Sequence, residues 1–217
     1  MKTGIATNAD NLMRKVYSYV VEHDQGFAPN PFHKVCSVAN CKPITRRVAQ
    51  VGDILLGFGG AKRHFSDRLV FWMKVDEIIT FDEYWIDPRF EAKKPRLGGS
   101  SMQFFGDNIY HTDEATGGII QENSFHSERD GSLSKANLNT DTGITNKVLL
   151  GRDYAYFGRK ARLLPEHLAC FIKRGRNHGV VTCGDKIAAL EKWFEENPER
   201  GILGRPIEWR PRSKPLA

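Results

Sequence analysis

No run of about 18 apolar residues occurs anywhere in this 217-residue chain, so nothing in it predicts a membrane-crossing helix. Met1–Asn11 carries no apolar core of the secretion-signal kind, and the expected location is the cytoplasm. Cysteine is scarce, with only Cys36, Cys41, Cys170 and Cys183, and in a reducing compartment these are thiols rather than a disulfide framework. Cys36 and Cys41 do not have the C-x2-C spacing of zinc sites, and the histidine spacing matches no standard metal motif, so neither a metal site nor a cofactor is specified. No internal repeat and no low-complexity tract is present, which excludes solenoids and compositionally disordered scaffolds.

What is present fits one domain over residues 1–217, because this length builds one full hydrophobic core and is short for two. The net charge of +6 favours a polyanionic partner, nucleic acid or a nucleotide. β-formers predict a first strand over Val16–Val21, and Gly26–Pro31 breaks it. Gly52-Asp53 reads as a turn feeding an apolar strand at Val51–Phe58, closed by Gly59-Gly60. Leu69–Thr80 reads as one long strand with a bend near Asp76, and Phe81–Phe90 as a loop or short helical turn. Asp107–Gly143 is polar and without periodicity; such a length without predicted structure marks function or disorder. Strand character returns over Lys147–Phe157. Helices are predicted at Pro165–Arg174 and at Asp185–Asn197, the second with Asp185 as N-cap and Pro198 beyond its end. Residues 165–204 form a C-terminal helical part, and 205–217 a basic extended tail.

The order of elements in Val51–Phe90 resembles the barrel core of PUA-like domains, in particular the EVE and ASCH groups. That resemblance implies an α+β fold: a small mixed or antiparallel β-barrel-like sheet with helices packed outside, able to hold a flipped or modified base. A wider likeness rests on YSYVVEHDQGFAPNPF, CKPITRRVAQVGDILLGFGG, RLVFWMKVDEIITFDEYWIDPRF, GDNIYH, SFHS and KVLLGRDYAYFG. These runs resemble the nucleotide modification associated domain 2 family over residues 12–164. The likeness implies an association with DNA base modification in bacteria and their viruses, and no defined reaction.

Three sets of residues could carry chemistry. For base binding, a pocket needs flat walls and edge-reading polar groups, which Trp72, Trp85 and Tyr110 with Asp53 and Asp76 could supply. Strand alternation puts Trp72, Lys74 and Asp76 on one face and the core residues Phe71, Met73 and Val75 on the other. For phosphate contacts, the candidates are Lys42, Arg46, Arg47, Arg63 and Arg68. For catalysis, His111, Asp113 and His126 offer imidazoles and a carboxylate suited to acid–base work or to holding a divalent metal, against the plainer reading of a hydrogen-bonded loop network. Cys41, beside Lys42 and near Arg46, is a candidate reactive thiol, since neighbouring cations favour a thiolate; the plainer reading of the cysteines is as small buried apolar groups. The expected function is a module that recognises a modified base. Its alternatives are an enzyme acting on a nucleotide or DNA base through His111, Asp113 and His126, and a structural or interaction protein with no base ligand.

Overall fold

A computed structural model describes residues 14–60, 65–175 and 177–209. Its strands in chain order are β1 (Val16–Val21), β2 (Cys36–Val38), β3 (Ile54–Gly59), β4 (Arg68–Lys74), β5 (Glu77–Thr80), β6 (Tyr110–Thr112), β7 (Ile119–Gln121), β8 (Lys147–Gly151), β9 (Tyr154–Tyr156), β10 (Arg162–Leu163), β11 (His178–Val181) and β12 (Gly201–Ile202). The α-helices are α1 (Pro43–Val48), α2 (Phe81–Ile86), α3 (Ser101–Phe104), α4 (Lys135–Thr142) and α5 (Gly184–Glu196). The fold is α+β.

The main sheet has the order β11-β1-β3-β4-β9-β12, with β10 also pairing β4. It is mixed: β1 runs parallel to β3, β3 antiparallel to β4, and β12 parallel to β9. Its end strands β11 and β12 do not pair with each other, so the sheet stays open instead of closing into the expected barrel. A second, antiparallel sheet has the order β2-β8-β5. The stretch read as one strand, Leu69–Thr80, is therefore two. At the corner the backbone changes partner: Val75 N donates to Asp53 O at 2.8 Å, and Asp76 N to Leu150 O at 2.8 Å. Lys147–Phe157 turns the same corner, as β8 and β9. Pro165–Arg174 is not an α-helix; a short 3-10 helix, Glu166–Phe171, seats Leu168 and Phe171, three apart, in the core.

Alternation along β4 sorts the core as expected on one side, where Phe71, Met73 and Val75 pack with Tyr17, Tyr19 and Leu149. The Trp72 face differs from expectation. It is covered by α5, whose Ile187, Leu190, Trp193 and Phe194 recur at helical spacing and are all buried. Trp72 stacks on Phe194 with ring centroids 4.0 Å apart. The N-cap of α5 is Cys183, and Asp185 lies in its first turn, where a carboxylate favours the dipole. Cutting Phe194 to alanine should cost about 3–5 kcal/mol, read as a lowered urea midpoint, because the cavity opens beneath a rigid sheet.

Candidate functional site

The polar region 107–143 contains the hairpin β6–β7 and the helix α4. Tyr110 and His111 are neighbours on β6 and so point opposite ways. Tyr110 turns inward, 1% exposed, and its hydroxyl donates to Asp141 Oδ2 at 2.9 Å. His111 turns outward, where it meets Glu122 Oε1 at 2.9 Å and stacks on Trp85 at 4.2 Å. Gln121, across the hairpin, donates to the Tyr110 hydroxyl at 3.0 Å and accepts from Ser134 N at 2.8 Å, just ahead of α4. The hairpin thus fixes where α4 begins, and α4 delivers Asp141 into the interior, fully buried.

Asp141 is the hub. Its Oδ1 accepts from Cys41 N at 2.6 Å, and its Oδ2 accepts from His126 Nδ1 at 2.8 Å as well as from Tyr110. The other face of the imidazole is aimed at a thiol: His126 Nε2 and Cys41 Sγ are 3.7 Å apart. Burial alone would push the His126 pKa down, but the hydrogen bonds to Asp141 and Cys41 outweigh it and lift the imidazole to about 9. The His126 loop is held from α4 by Asn137, whose amide donates to His126 O at 2.8 Å. Cys41 is half-buried and sits at φ 56°, with Lys42 next to it at φ 45°. Two successive non-glycine residues in the left-handed region are costly, and such strain concentrates where surroundings over-determine a functional geometry.

The surroundings here are explicit. Arg46 on α1 is fully buried, and its guanidinium donates to three carbonyls: Cys41 O at 2.9 Å, Lys147 O at 2.8 Å, and Asp141 O. Asn40, also buried, donates to Asp107 O at 2.9 Å. Asp107 belongs to a second interior network in which the Ser37 hydroxyl donates to it at 2.6 Å and Lys93 Nζ donates to Ser37 Oγ at 2.8 Å. Burial lowers the Lys93 pKa and raises that of Asp107. Both networks end on the Asn40–Cys41 loop.

The other expected site residues are dispersed. Asp113 closes its own turn, accepting from Ala115 N and Thr116 Oγ1, so it does not join His126. Trp72 is 1% exposed and lies under α5. Trp85 is half-buried, with Lys94 Nζ 3.9 Å from its ring centroid. Asp53 holds its turn by accepting from Lys15 N and Gln50 N, each at 2.8 Å, and Asp76 accepts from Arg152 N at the sheet corner. Of the expected phosphate contacts, Arg46 is interior and Lys42 Nζ donates to Val20 O at 2.9 Å. Arg68 is half-buried beside Ala161 O, Arg47 is exposed, and Arg63 lies outside the described residues. A cleft of about 400 Å³ lined by Val20, His23, Gly59, Gly60, Lys173 and Arg174 contains none of Cys41, His126 and Asp141.

Asp141 is the member of this cluster that no sequence signal marks. α4 carries a single leucine and no apolar stripe, so no periodicity announces it. The three partners lie 85 and 15 positions apart, a spacing that only the fold turns into contact. Among the described residues no group of three or more His, Cys, Asp and Glu has the arrangement of a metal site, and no helix is long and apolar enough to cross a membrane.

A family model described as nucleotide modification associated domain 2 matches residues 13–213. That is nearly the whole chain, α5 included, and the chain belongs to this family. No curated protein and no solved structure matches it. The family description associates its members with nucleotide modification and names no reaction.

Proposed function

We propose that this member of the nucleotide modification associated domain 2 family is an acyl-transfer enzyme of nucleotide modification, with Cys41 as nucleophile, His126 as its acid–base partner and Asp141 as the group that orients the imidazole. One observation carries the reading: the run Cys41 Sγ, His126 Nε2, His126 Nδ1, Asp141 Oδ2, with contacts of 3.7 and 2.8 Å. A nucleophile within reach of a base, and a base held by a third group, is the arrangement that splits acyl transfer into two easier steps. Asp141 accepts the Nδ1 proton and so keeps Nε2 facing the thiol.

With its pKa near 9, His126 already holds on Nε2 the proton shared with Cys41, and in the first step Cys41 Sγ attacks the carbonyl carbon of an acyl donor. A C–S bond forms, and the leaving group departs with the proton from His126. In the second step His126 deprotonates an amine or hydroxyl acceptor, which attacks the thioester; the C–S bond breaks and the thiol is restored. Donor and acceptor exchange an acyl group and a proton, with no net redox change. The nucleotide is one of the two reactants. The binding-only reading, in which a base is enclosed by Trp72, Trp85 and Tyr110, has less support, because Trp72 and Tyr110 are each 1% exposed and engaged in packing or hydrogen bonding.

The test uses the four free thiols as internal controls. Cys170 and Cys183 are exposed, Cys36 is buried, and Cys41 is intermediate. Accessibility alone would have Cys170 and Cys183 react first with iodoacetamide. Activation by His126 should make Cys41 the faster by roughly tenfold or more, and His126→Gln should erase that lead. Peptide mass spectrometry over a time course reads both. Cys41 trailing the two exposed thiols, or leading them equally well without His126, would remove the basis for the proposal.

A further inference from the structure

From His126 a line of aromatic rings runs outward. Phe27 lies 4.6 Å from the His126 ring and Phe125 5.5 Å from Phe27; Phe105 is 5.0 Å from Phe125, and Trp209 is 6.3 Å from Phe105 at an interplanar angle of 22°. Phe27 is buried, but Phe125 is 40% exposed, and Phe105 and Trp209 are half-exposed. Trp209 then forms one wall of a groove of about 260 Å³ whose lining includes Phe32, Leu203, Gly204, Arg205 and Pro206. Successive rings left partly open to water, leading from a reactive centre into a groove, form a platform for flat ligands.

Cations border the same strip. Arg159 N donates to Arg205 O at 2.9 Å, and the Arg159 guanidinium donates to Trp209 O, so Arg159, Arg205 and the tryptophan are neighbours. Lys160 adjoins Arg159, and all three cations are exposed. Among the described residues none of the three takes part in an ion pair, in contrast to Arg174, whose charge is matched by Asp67 across two contacts of 2.8 Å. With Arg46 buried and the Lys42 ammonium donating to Val20 O, this strip is a place where charge could meet phosphate.

We propose that the Phe125–Phe105–Trp209 strip, flanked by Arg159, Lys160 and Arg205, binds single-stranded nucleic acid and leads one unstacked base towards Cys41. Ring faces read base faces, which a duplex hides in its stack, and the cations follow a backbone that a free nucleotide lacks. The inference rests on the thiol-enzyme reading only for which base is acted upon; the binding surface stands by itself.

The experiment is fluorescence anisotropy with the full chain and a labelled 12-nucleotide DNA strand, the RNA of the same sequence, the blunt DNA duplex, and unlabelled deoxynucleoside monophosphates as competitors. Both single strands should bind, and the ratio between them tells DNA from RNA. Phe125→Ser should weaken binding roughly tenfold. The double variant Arg159→Gln, Arg205→Gln should flatten the dependence of affinity on salt. Because Trp209 also packs on Phe32 and donates to Gln25 O at 2.8 Å, the exposed Phe125 is the safer probe of the platform. Equal or tighter binding of the duplex, competition by monophosphates at comparable concentration, or no strand binding at low salt would overturn the strip. If the lead of Cys41 in iodoacetamide labelling survives such a failure, the thiol reading stands without the strip. If strands bind while that lead is absent, the strip stands and the thiol reading falls.

Discussion

Replacing Asp141 with asparagine should lower turnover by roughly 10³- to 10⁴-fold while the chain stays folded, the size of effect expected when the orienting carboxylate of a triad becomes an amide. The amide can still accept from Cys41 N, so the Cys41 loop keeps its anchor. It cannot present acceptors to both His126 Nδ1 and the Tyr110 hydroxyl, and the imidazole loses its partner charge. The pH behaviour follows. His126 is lifted to about 9 in the folded chain, against about 6.5 for an ordinary histidine. A raised folded-state value stabilises the protein fully below the ordinary value, and that stabilisation is lost as pH climbs from about 6.5 to 9. The wild-type chain should lose stability on the order of 3 kcal/mol across that window. In Asp141→Asn the His126 midpoint should fall towards about 6.5 and the loss should shrink accordingly. Imidazole proton NMR and urea melts at pH 6 and pH 9.5 measure the two. An unchanged midpoint would mean that Asp141 does not hold the imidazole.

How much of this was legible follows from the kind of signal each residue sends. Val16–Val21 and the Gly52-Asp53 turn are local features, β-formers in a run and a glycine at φ 94°, and both stand where the sequence puts them. The helix over Asp185–Asn197 was readable from its spaced apolar side chains, but not the face it covers. Trp72 shares its side of β4 with Lys74 and Asp76, which suggested an open face; that α5 packs there depends on residues more than 100 positions away. The barrel failed for a related reason. Strand patterns do not say whether β11 and β12 meet, and closure is a property of the whole sheet. In the site, His126 and Cys41 could each be singled out by chemistry. Their pairing could not, because the acid that joins them sits on a helix of polar residues held by tertiary bonds rather than by propensity.

Arg46 shows the same gap most sharply, and it carries a large effect on stability. In the sequence it belongs to a basic cluster, Lys42, Arg46 and Arg47, that suits a phosphate backbone. In the fold it is fully buried, its charge lies 5.4 Å from the Phe81 ring centroid, and its three hydrogen bonds join the Cys41 loop to Asp141 and to β8. Arg46→Met keeps much of the volume and strands three interior carbonyls. At about 1–3 kcal/mol for each unsatisfied group, partly relieved by relaxation, the loss should reach about 3–5 kcal/mol. Arg46→Lys should recover little of it, because one ammonium cannot reproduce a planar fork aimed at three separate acceptors. Urea unfolding gives the magnitude, and iodoacetamide labelling under native conditions shows whether Cys41 has lost its lead over Cys170 and Cys183. A phosphate-binding arginine would behave in the opposite way: the Met variant would fold within about 1 kcal/mol of wild type and bind strands with a shallower salt dependence. The two outcomes separate a residue that builds the thiol site from one that greets the ligand.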